Sequence, residues 1–457
     1  MTNWPEEILA ASFRDPSGRV FRQQGRLYRS VSSTGLADYL CFTHSGLAEQ
    51  LQEQKSLIKF TEDRRCNGDL FLELDELPFI SYPYEWCFGQ LRDAAILTIQ
   101  ITLSALQKGM ILKDASAFNV AWQRGKPVFL DHGSFTIYHE GQPWQAYLQF
   151  VKHFLGPLLL MKYQDVRHLE FLRNHLEGIP LDFLSRNLPL KTWFKLCPLL
   201  HIHVHAIFQQ KCSNSRRSIQ GKQPQMPRSR LQDMLQSLLE YLTRMKAPQE
   251  QTEWGNYYQD TNYSEKAFSH KKDLVQQFVC QVQPERTVDF GANTGVFSFL
   301  AAEHCKLVIA ADGDPKAVEF LYQQASKHYP QVYPVLQDLN NPSPGLGLFN
   351  AEREPFFPRA KADLALGLAL LHHLHIGSNW TLQHCLELFA RTAPNALLEF
   401  VPKQDSQVQR LLRSRPDICS DWNLPALLAT CRQYYHLCES LPIADSERVL
   451  IKLQHRL

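Results

Sequence analysis

One segment of the chain carries residues whose types and spacing could hold a nucleotide-like cofactor. The run VDFGANTG, residues 288–295, joins an apolar stretch to an amphipathic one and places glycines where a backbone must turn tightly and approach a ligand closely. A plain turn between a strand and a helix would also explain these glycines. Asp312 stands twenty-one residues after Gly291, at the end of a second apolar run, where a carboxylate can accept hydrogen bonds from ribose hydroxyls. The pair of features favours a ribose-bearing ligand.

Four short apolar runs predict the elements that position these residues. Segments with helical periodicity separate the runs, and strands alternating with helices form a parallel sheet with helices on both faces. Ligands bind such sheets at the carboxyl ends of their strands, which is where the glycine turn and Asp312 fall. The four runs are 286–290 (RTVDF), 306–312 (KLVIAAD), 362–368 (ADLALGL) and 396–401 (ALLEFV).

These motifs resemble the class I S-adenosylmethionine-dependent methyltransferases over about the last 200 residues. VDFGANTG is similar to the family motif Asp/Glu-x-Gly-x-Gly-x-Gly, with Asn293 at the middle glycine, and ADGDPKAVE (311–319), QDLNNPSP (337–344) and ADLALGLALLHHL (362–374) follow in family order. A dehydrogenase would share the turn and the acid, but the later motifs favour the methyl donor. The resemblance implies a Rossmann-like α/β fold, S-adenosylmethionine as cofactor, and cofactor contacts from Asp289, Gly291, Asn293, Gly295, Asp312 and Asp338.

The acceptor side of the predicted site depends on two adjacent histidines. The loop after the fourth strand lacks Asn-Pro-Pro-Tyr, Asp-Pro-Pro-Tyr and Pro-Cys, which disfavours amino groups on bases or glutamine and attack on pyrimidine rings. His372 and His373 lie just past this strand, where a neutral imidazole could act as a base toward a hydroxyl. A packed or helix-capping histidine is the alternative explanation. We expect a methyltransferase acting on a hydroxyl of a small-molecule or glycan acceptor, with His373 as the first choice of base.

Two further segments of the carboxy-terminal half carry weaker resemblances. WGNYYQDTNYSEKAF, residues 254–268, resembles the aromatic segment that covers the donor or acceptor pocket in many such domains, although helix packing would explain the same aromatics. The whole carboxy-terminal half, including ALLEFVPKQDSQVQRLL at residues 396–412, is similar to nodulation-protein-type methyltransferases, a label that implies little about the acceptor. The residues that would close the pocket are Trp254, Tyr257, Tyr258 and Tyr263.

The amino-terminal half contains a second constellation. Asp114, Asn119 five residues later, and Asp131 followed by His-Gly resemble the layout of protein-kinase-like catalytic loops. In that family the first Asp orients the acceptor hydroxyl, while the Asn and the second Asp hold magnesium on the phosphates. No glycine-rich loop or phosphate-contacting lysine can be assigned, and Lys113 replaces the usual arginine. The resemblance implies an α+β, kinase-like domain used for substrate recognition, with ordinary turn residues as the plain alternative.

Chain length and composition predict two domains. A chain of 457 residues exceeds the size at which a single core stops growing, roughly 250 to 300 residues. The stretch 212–230, rich in Ser, Gln, Pro and basic residues, has linker composition, and 231–245 has helical apolar spacing. We therefore predict an amino-terminal domain at 1–211, a linker with a connecting helix at 212–245, and the methyltransferase domain at 246–457.

Charge and cysteine usage limit the function classes. Lys and Arg number 48 against 46 for Asp and Glu, which gives no general attraction to nucleic acid or an anionic membrane. Eleven cysteines without a Cys-x-x-Cys pair argue against disulfides and zinc, and the triplet His201, His203 and His205 falls in a predicted buried helix, so we expect no metal. The acidic amino terminus and the lack of long apolar runs predict a cytoplasmic protein. The rival functions are a fused kinase and methyltransferase, or a catalytically silent binding protein.

Overall fold

The computed structural model describes residues 7–12, 14–66, 69–214, 225–248, 263–413 and 416–455. The chain divides into two compact units, the first formed by Met1–Gln249 with Gly345–Glu354 and the second by Glu250–Pro344 with Pro355–Leu457. This division lies on the carboxyl side of the predicted linker. Residues 215–224 of that linker fall outside the described residues, so the predicted boundary stays a prediction.

The first unit opens with a five-stranded antiparallel sheet in the order β1-β2-β3-β5-β4. Two small antiparallel pairs, β6 with β9 and β7 with β8, follow it. One face of the five-stranded sheet carries a small apolar cluster of Phe21, Tyr28 and Phe71, which lie on the neighbouring strands β2, β3 and β5. The strands are β1 Glu7–Ile8, β2 Val20–Gln23, β3 Arg26–Val31, β4 Phe60–Cys66, β5 Asp69–Leu74, β6 Met110–Leu112, β7 Val120–Gln123, β8 Lys126–Phe129 and β9 Phe135–Ile137.

The rest of the first unit is mainly helical, which confirms an α+β arrangement but not its kinase-like character. Its longest helix, Phe88–Gln107, is apolar on nearly every side because it packs between strands and other helices. The α-helices are α1 Leu36–His44, α2 Leu47–Glu53, α3 Phe88–Gln107, α4 Tyr147–Phe150, α5 Gly156–Tyr163, α6 Phe171–Asn174, α7 Leu181–Asn187, α8 Leu196–Pro198, α9 His205–Asn214 and α10 Arg228–Thr243. Shorter 3-10 turns occur at Ala10–Ser12, Pro83–Glu85, Ala117–Asn119, His132–Ser134, Val166–Glu170, Leu190–Phe194 and Leu348–Asn350, and π-helical turns at Val151–Leu155 and Leu199–Val204.

The second unit is built on the predicted parallel sheet. Seven strands follow the order β12-β11-β10-β13-β14-β16-β15, in which the first five are parallel and an antiparallel hairpin completes one edge. The order reverses beside β10, and doubly wound sheets bind ligands at such a reversal. The four predicted runs coincide with β10, β11, β13 and β14. The strands are β10 Arg286–Phe290, β11 Leu307–Asp312, β12 Val332–Leu336, β13 Leu364–Gly367, β14 Asn395–Phe400, β15 Leu437–Pro442 and β16 Val449–Gln454.

Helices cover both faces of this sheet. On one face, Val308 and Leu366 belong to a core that also contains Phe278. On the other face, the ring of Phe389 lies 5.7 Å from that of Phe290 and fills the space that a side chain at Gly367 would need. Because parallel strands bury both faces, the strands read as continuous apolar runs. The helices are α11 Glu265–Val282, α12 Val296–Ala302, α13 Pro315–His328, α14 Phe356–Arg359, α15 Leu382–Thr392, α16 Ser406–Leu412 and α17 Leu424–Tyr434, with a π-helical turn at His373–Gly377.

No helix within the described ranges has both the length and the apolar character needed to cross a bilayer.

Candidate functional site

The glycine turn between β10 and α12 depends on three positive backbone φ angles. Gly291 has φ +73°, and Gly295 has φ +90° with so little room that an added Cβ would lie 2.9 Å from the ring of Phe299. Asn293 has φ +49°, in the left-handed region where Asn is among the best tolerated non-glycine residues. The departure from the glycine pattern at this position is therefore conformationally conservative, and the turn keeps the shape that a glycine would give it.

Asp312 links this turn to the next strand. It ends β11, and its Oδ2 accepts a hydrogen bond from the backbone N–H of Asn293 at 2.7 Å. Its Oδ1 accepts from the backbone N–H of Asp314 at 2.8 Å. Burial raises the pKa of the Asp312 carboxyl to about 6, although these hydrogen bonds favour the charged form. Each oxygen keeps further acceptor capacity, so the carboxylate can bind a hydroxyl while it holds the turn.

The two other predicted cofactor acids have different environments. Asp289 is buried in the middle of the sheet, where its Oδ2 accepts a hydrogen bond from the hydroxyl of Ser298 on α12 at 2.6 Å. Burial raises the pKa of Asp289 to about 7. Asp338 is exposed after β12, and its Oδ1 accepts from the backbone N–H of Asn340 at 2.8 Å, which closes its own turn. Asp338 follows Gln337, whose N–H donates to the backbone carbonyl of Asp312 at 2.8 Å. Asp289 thus stabilises the start of α12, and Asp338 presents a carboxylate beside the Asp312 strand.

His372 and His373 follow β13 and lie against each other, with ring centroids 4.1 Å apart. His372 is fully buried, and neither of its ring nitrogens has a hydrogen-bond partner in the described part of the chain. Burial, together with nearby His373 and Arg448, holds its pKa well below the usual range. Burial also lowers the pKa of His373 to about 4. Both imidazoles are therefore neutral at pH 7, the form that can accept a proton.

A buried charge cluster, which the sequence did not predict, lies at the carboxyl end of β14. The Lys271 ammonium of α11 donates to Oε2 of Glu399 at 2.6 Å, and Arg448 contacts Oε1 of the same carboxylate at 3.3 Å. The Tyr263 hydroxyl also donates to Glu399. Burial opposes the charge on Glu399, but Lys271 and Arg448 outweigh it and hold its pKa below the usual range. We call Tyr263, Lys271, Glu399 and Arg448 the buried charge cluster.

One sequence signal for this cluster was present. Glu399 interrupts the otherwise apolar run ALLEFV, and a charged residue in a strand buried on both faces requires partners. The partners themselves lie far away in sequence and could not be assigned from it. Among the predicted pocket-closing aromatics only Tyr263 belongs to the described residues, and Trp254, Tyr257 and Tyr258 lie outside them.

In the first unit, the kinase-like residues lie on one connected network. Asn119 Nδ2 donates to the hydroxyl of Ser134 at 3.2 Å, and this hydroxyl donates to Asp131. Asp114 Oδ1 accepts the backbone N–H of Ser116 at 2.9 Å. Burial and the nearby charge of Asp131 raise the pKa of Asp114. The three predicted residues are thus close enough to influence one another.

Arg29 on β3 is a residue of this network that sequence reasoning missed. Its guanidinium is buried, lies 2.6 Å from Oδ1 of Asp131 and also pairs with Asp15. It fills the space beside Gly133, where an added Cβ would lie 2.2 Å from its Nη2. Burial opposes the charge of Asp131, but Arg29 and the hydrogen bond from Ser134 outweigh it and lower the Asp131 pKa. In this chain, Arg29 packs against the Asp-His-Gly motif and neutralises the charge of Asp131.

The histidine triplet of the first unit has local protein partners. Nδ1 of His201 lies 2.6 Å from the hydroxyl of Tyr147. The two ring nitrogens of His203 lie 2.8 Å from the Ser185 hydroxyl and 2.9 Å from the Thr192 hydroxyl. The ring of His205 lies 5.2 Å from that of Tyr147, so all three histidines pack against neighbouring side chains.

The mainly parallel sheet, with a glycine turn and an acid at its carboxyl edge, defines the second unit as a Rossmann-like α/β unit. No protein-family model matches the chain. The chain is 33% identical to nodulation protein NoeA of Rhizobium meliloti (strain 1021) over 453 residues, which cover 97% of this chain and 95% of that protein. Because this identity extends through both units, the chain belongs to the NoeA family.

Two solved structures are similar to parts of the chain. One is magnesium protoporphyrin IX methyltransferase (ChlM) from Synechocystis PCC 6803 with bound SAM, at 14% identity and a TM-score of 0.29. The alignment covers 46% of this chain and 87% of the ChlM chain. N-methyltransferase NodS from Bradyrhizobium japonicum WM9 is 11% identical, covers 41% of this chain and 98% of its own, and also has a TM-score of 0.29.

Proposed function

We propose that the second unit is an S-adenosylmethionine-dependent methyltransferase. The observation that carries this proposal is the hydrogen bond from the glycine turn to Asp312, because it places a ribose-accepting carboxylate and a close-approach backbone in one rigid element. Gly291 and Gly295 adopt positive φ angles, which suit glycine, and neither adds a side chain to the turn. The residues present therefore fit a nucleoside-type donor.

The remaining predicted cofactor residues take distinct parts in this proposal. Asn293 supplies the backbone N–H that fixes Asp312, and Asp338 supplies an exposed carboxylate for the adenine amino group. Asp289 supports α12 through Ser298, and its part in holding the cofactor is to fix the element that follows the glycine turn. The buried charge cluster lies at the carboxyl end of β14. Its paired and hydrogen-bonded side chains have fixed positions, which favours a pocket of defined shape.

The acceptor is proposed to be a small molecule or glycan that presents a hydroxyl. When bound, S-adenosylmethionine would supply a methyl group on a sulfonium; the acceptor oxygen would form a bond to this methyl carbon as the carbon–sulfur bond breaks and S-adenosylhomocysteine leaves. The chain must align that hydroxyl and remove its proton, and we assign the proton transfer to the neutral imidazole of His373. Its neighbour His372, with two buried ring nitrogens, is assigned to orienting the acceptor.

Asp312→Ala is expected to weaken donor binding about tenfold or more, because a hydrogen bond to a charged acceptor contributes roughly 1.5 to 3 kcal/mol. Since the pKa of Asp312 is about 6, the dissociation constant of the wild-type protein should rise as pH falls through 6 and the carboxylate is protonated. Calorimetry with S-adenosylmethionine measures both effects. The exposed control Glu303→Ala should bind normally, and an unchanged affinity in folded Asp312→Ala would remove the ribose assignment.

His373→Gln is expected to lower the rate of S-adenosylhomocysteine formation about a hundredfold, because a positioned general base contributes roughly 10²-fold or more. Donor affinity should not change. At saturating donor, the wild-type rate should fall only as pH approaches about 4, where His373 becomes protonated. Rates measured with a small-molecule extract as acceptor source test this, with the exposed His328→Gln as control. A full rate in His373→Gln would exclude it as the base.

The first unit has a second candidate function, a fused kinase, which is favoured by the shared network of Asp114, Asn119 and Asp131. Its opposing observation is Arg29, since a cation paired with Asp131 at 2.6 Å occupies the carboxylate that would hold magnesium. We infer that this network recognises the acceptor instead. Phosphoryl transfer would require Arg29 to leave the Asp131 carboxylate.

Magnesium and ATP together are expected to leave the melting temperature of the full chain unchanged. A ligand bound at 100 times its dissociation constant would stabilise the folded state by about 2.7 kcal/mol, enough for a shift of several degrees. Differential scanning fluorimetry measures the shift. A magnesium-dependent stabilisation by ATP that Asp131→Ala abolishes, and that the exposed control Asp63→Ala retains, would establish the fused kinase in place of the recognition role.

A further inference from the structure

The first unit exposes an unusual number of large apolar side chains within one short segment. Across 190–208, Phe194 is 88% exposed, Leu190 80%, Leu196 73%, Phe208 62% and Leu200 46%. Single exposed apolar residues are common on protein surfaces, whereas large exposed apolar patches often mark interaction surfaces, and these five side chains lie within nineteen residues of sequence. We call these five residues the apolar patch.

The segment that carries the apolar patch is anchored in the first unit. The Trp193 ring stacks on that of His203 with centroids 4.1 Å apart, which ties the 3-10 turn Leu190–Phe194 to the following π-helical turn. Ile202 and Thr192 are buried between these turns. Because the inward side is packed, the exposed side chains stand on a formed surface.

Along the sequence that carries the apolar patch, the charged residues have one sign. Residues 183–232 contain nine Lys and Arg residues and no Asp or Glu, although the whole chain is nearly balanced at 48 to 46. Lys191 and Lys195 alternate with the patch residues and are exposed. The overall charge balance therefore hides a local region that is strongly basic and apolar at once.

We propose that the apolar patch docks the protein on an anionic phospholipid surface. The interface of a bilayer accepts Phe and Leu side chains, and its anionic headgroups attract Lys and Arg. An anionic bilayer would therefore bind both the apolar and the basic residues of this segment. A second copy pairing through the same patch would bring like charges together, and a nucleic acid would leave the aliphatic side chains without a partner. This surface belongs to the first unit, and its role is independent of the proposed methyl transfer.

Vesicle co-sedimentation of the full chain tests the proposal. Vesicles of phosphatidylcholine with about a third phosphatidylglycerol should bind the protein at least tenfold more tightly than pure phosphatidylcholine, and salt should weaken the binding. Phe194→Ser with Phe208→Ser should reduce binding at least tenfold. Phe349→Ser with Ile418→Ser is the matched control, since Phe349 is 88% and Ile418 70% exposed, and it should bind as the wild type does.

Charge variants separate the electrostatic part of the docking. Lys191→Gln with Lys195→Gln should reduce affinity for the anionic vesicles roughly tenfold or more, whereas Lys327→Gln with Lys361→Gln, both exposed in the second unit, should not. No binding to either vesicle, or binding that none of the patch variants changes, would overturn the proposal. A concentration-dependent dimer in sedimentation velocity that Phe194→Ser with Phe208→Ser abolishes would overturn it in favour of a second copy.

Discussion

The carboxylate of Asp312 is the group on which the geometry of the candidate site depends. It is the last residue of β11, and it holds the glycine turn through Asn293 and the start of α13 through the N–H of Asp314. Two segments that are separate in sequence, the glycine turn and the junction of β11 with α13, are thereby fixed at one edge of the sheet. The same arrangement buries the carboxylate, and burial raises its pKa to about 6. In the proposed site, ligand binding and local structure thus depend on one ionisable group.

The buried charge cluster fixes the same unit at a second place. Glu399 lies on β14, Lys271 lies on α11, and Arg448 immediately precedes β16. The Glu399 carboxylate therefore joins a strand inside the sheet, a covering helix and the edge hairpin. Paired buried charges contribute little net stability, because desolvation offsets their attraction, but loss of one partner is costly. Such a cluster therefore favours one arrangement of these elements over others, which a binding site requires.

The parts of the molecule that could be predicted from sequence are those encoded locally. Four of the seven strands of the second unit, the glycine turn and Asp312 at the end of its strand were predicted, because apolar runs and turn residues act over a few positions. The partners of Glu399 and the pairing of Arg29 with Asp131 were missed, because they join residues about 50 to 130 positions apart whose contacts depend on tertiary packing. The positive φ of Asn293 could be predicted only in part, since an asparagine tolerates a positive φ without requiring it. The apolar patch was also missed, because the overall charge balance concealed its acid-free surroundings.

The central claim is that the NoeA-family chain turns over a methyl donor instead of only binding it. The direct measurement is incubation of the full chain with S-adenosylmethionine labelled in its methyl group and a small-molecule extract, followed by mass spectrometry of the products. The account predicts labelled methyl groups bound covalently to a hydroxyl-bearing small molecule or glycan, with formation of an equal amount of S-adenosylhomocysteine. Tight donor binding with no label transferred to any acceptor in the extract would contradict it and identify a binding protein.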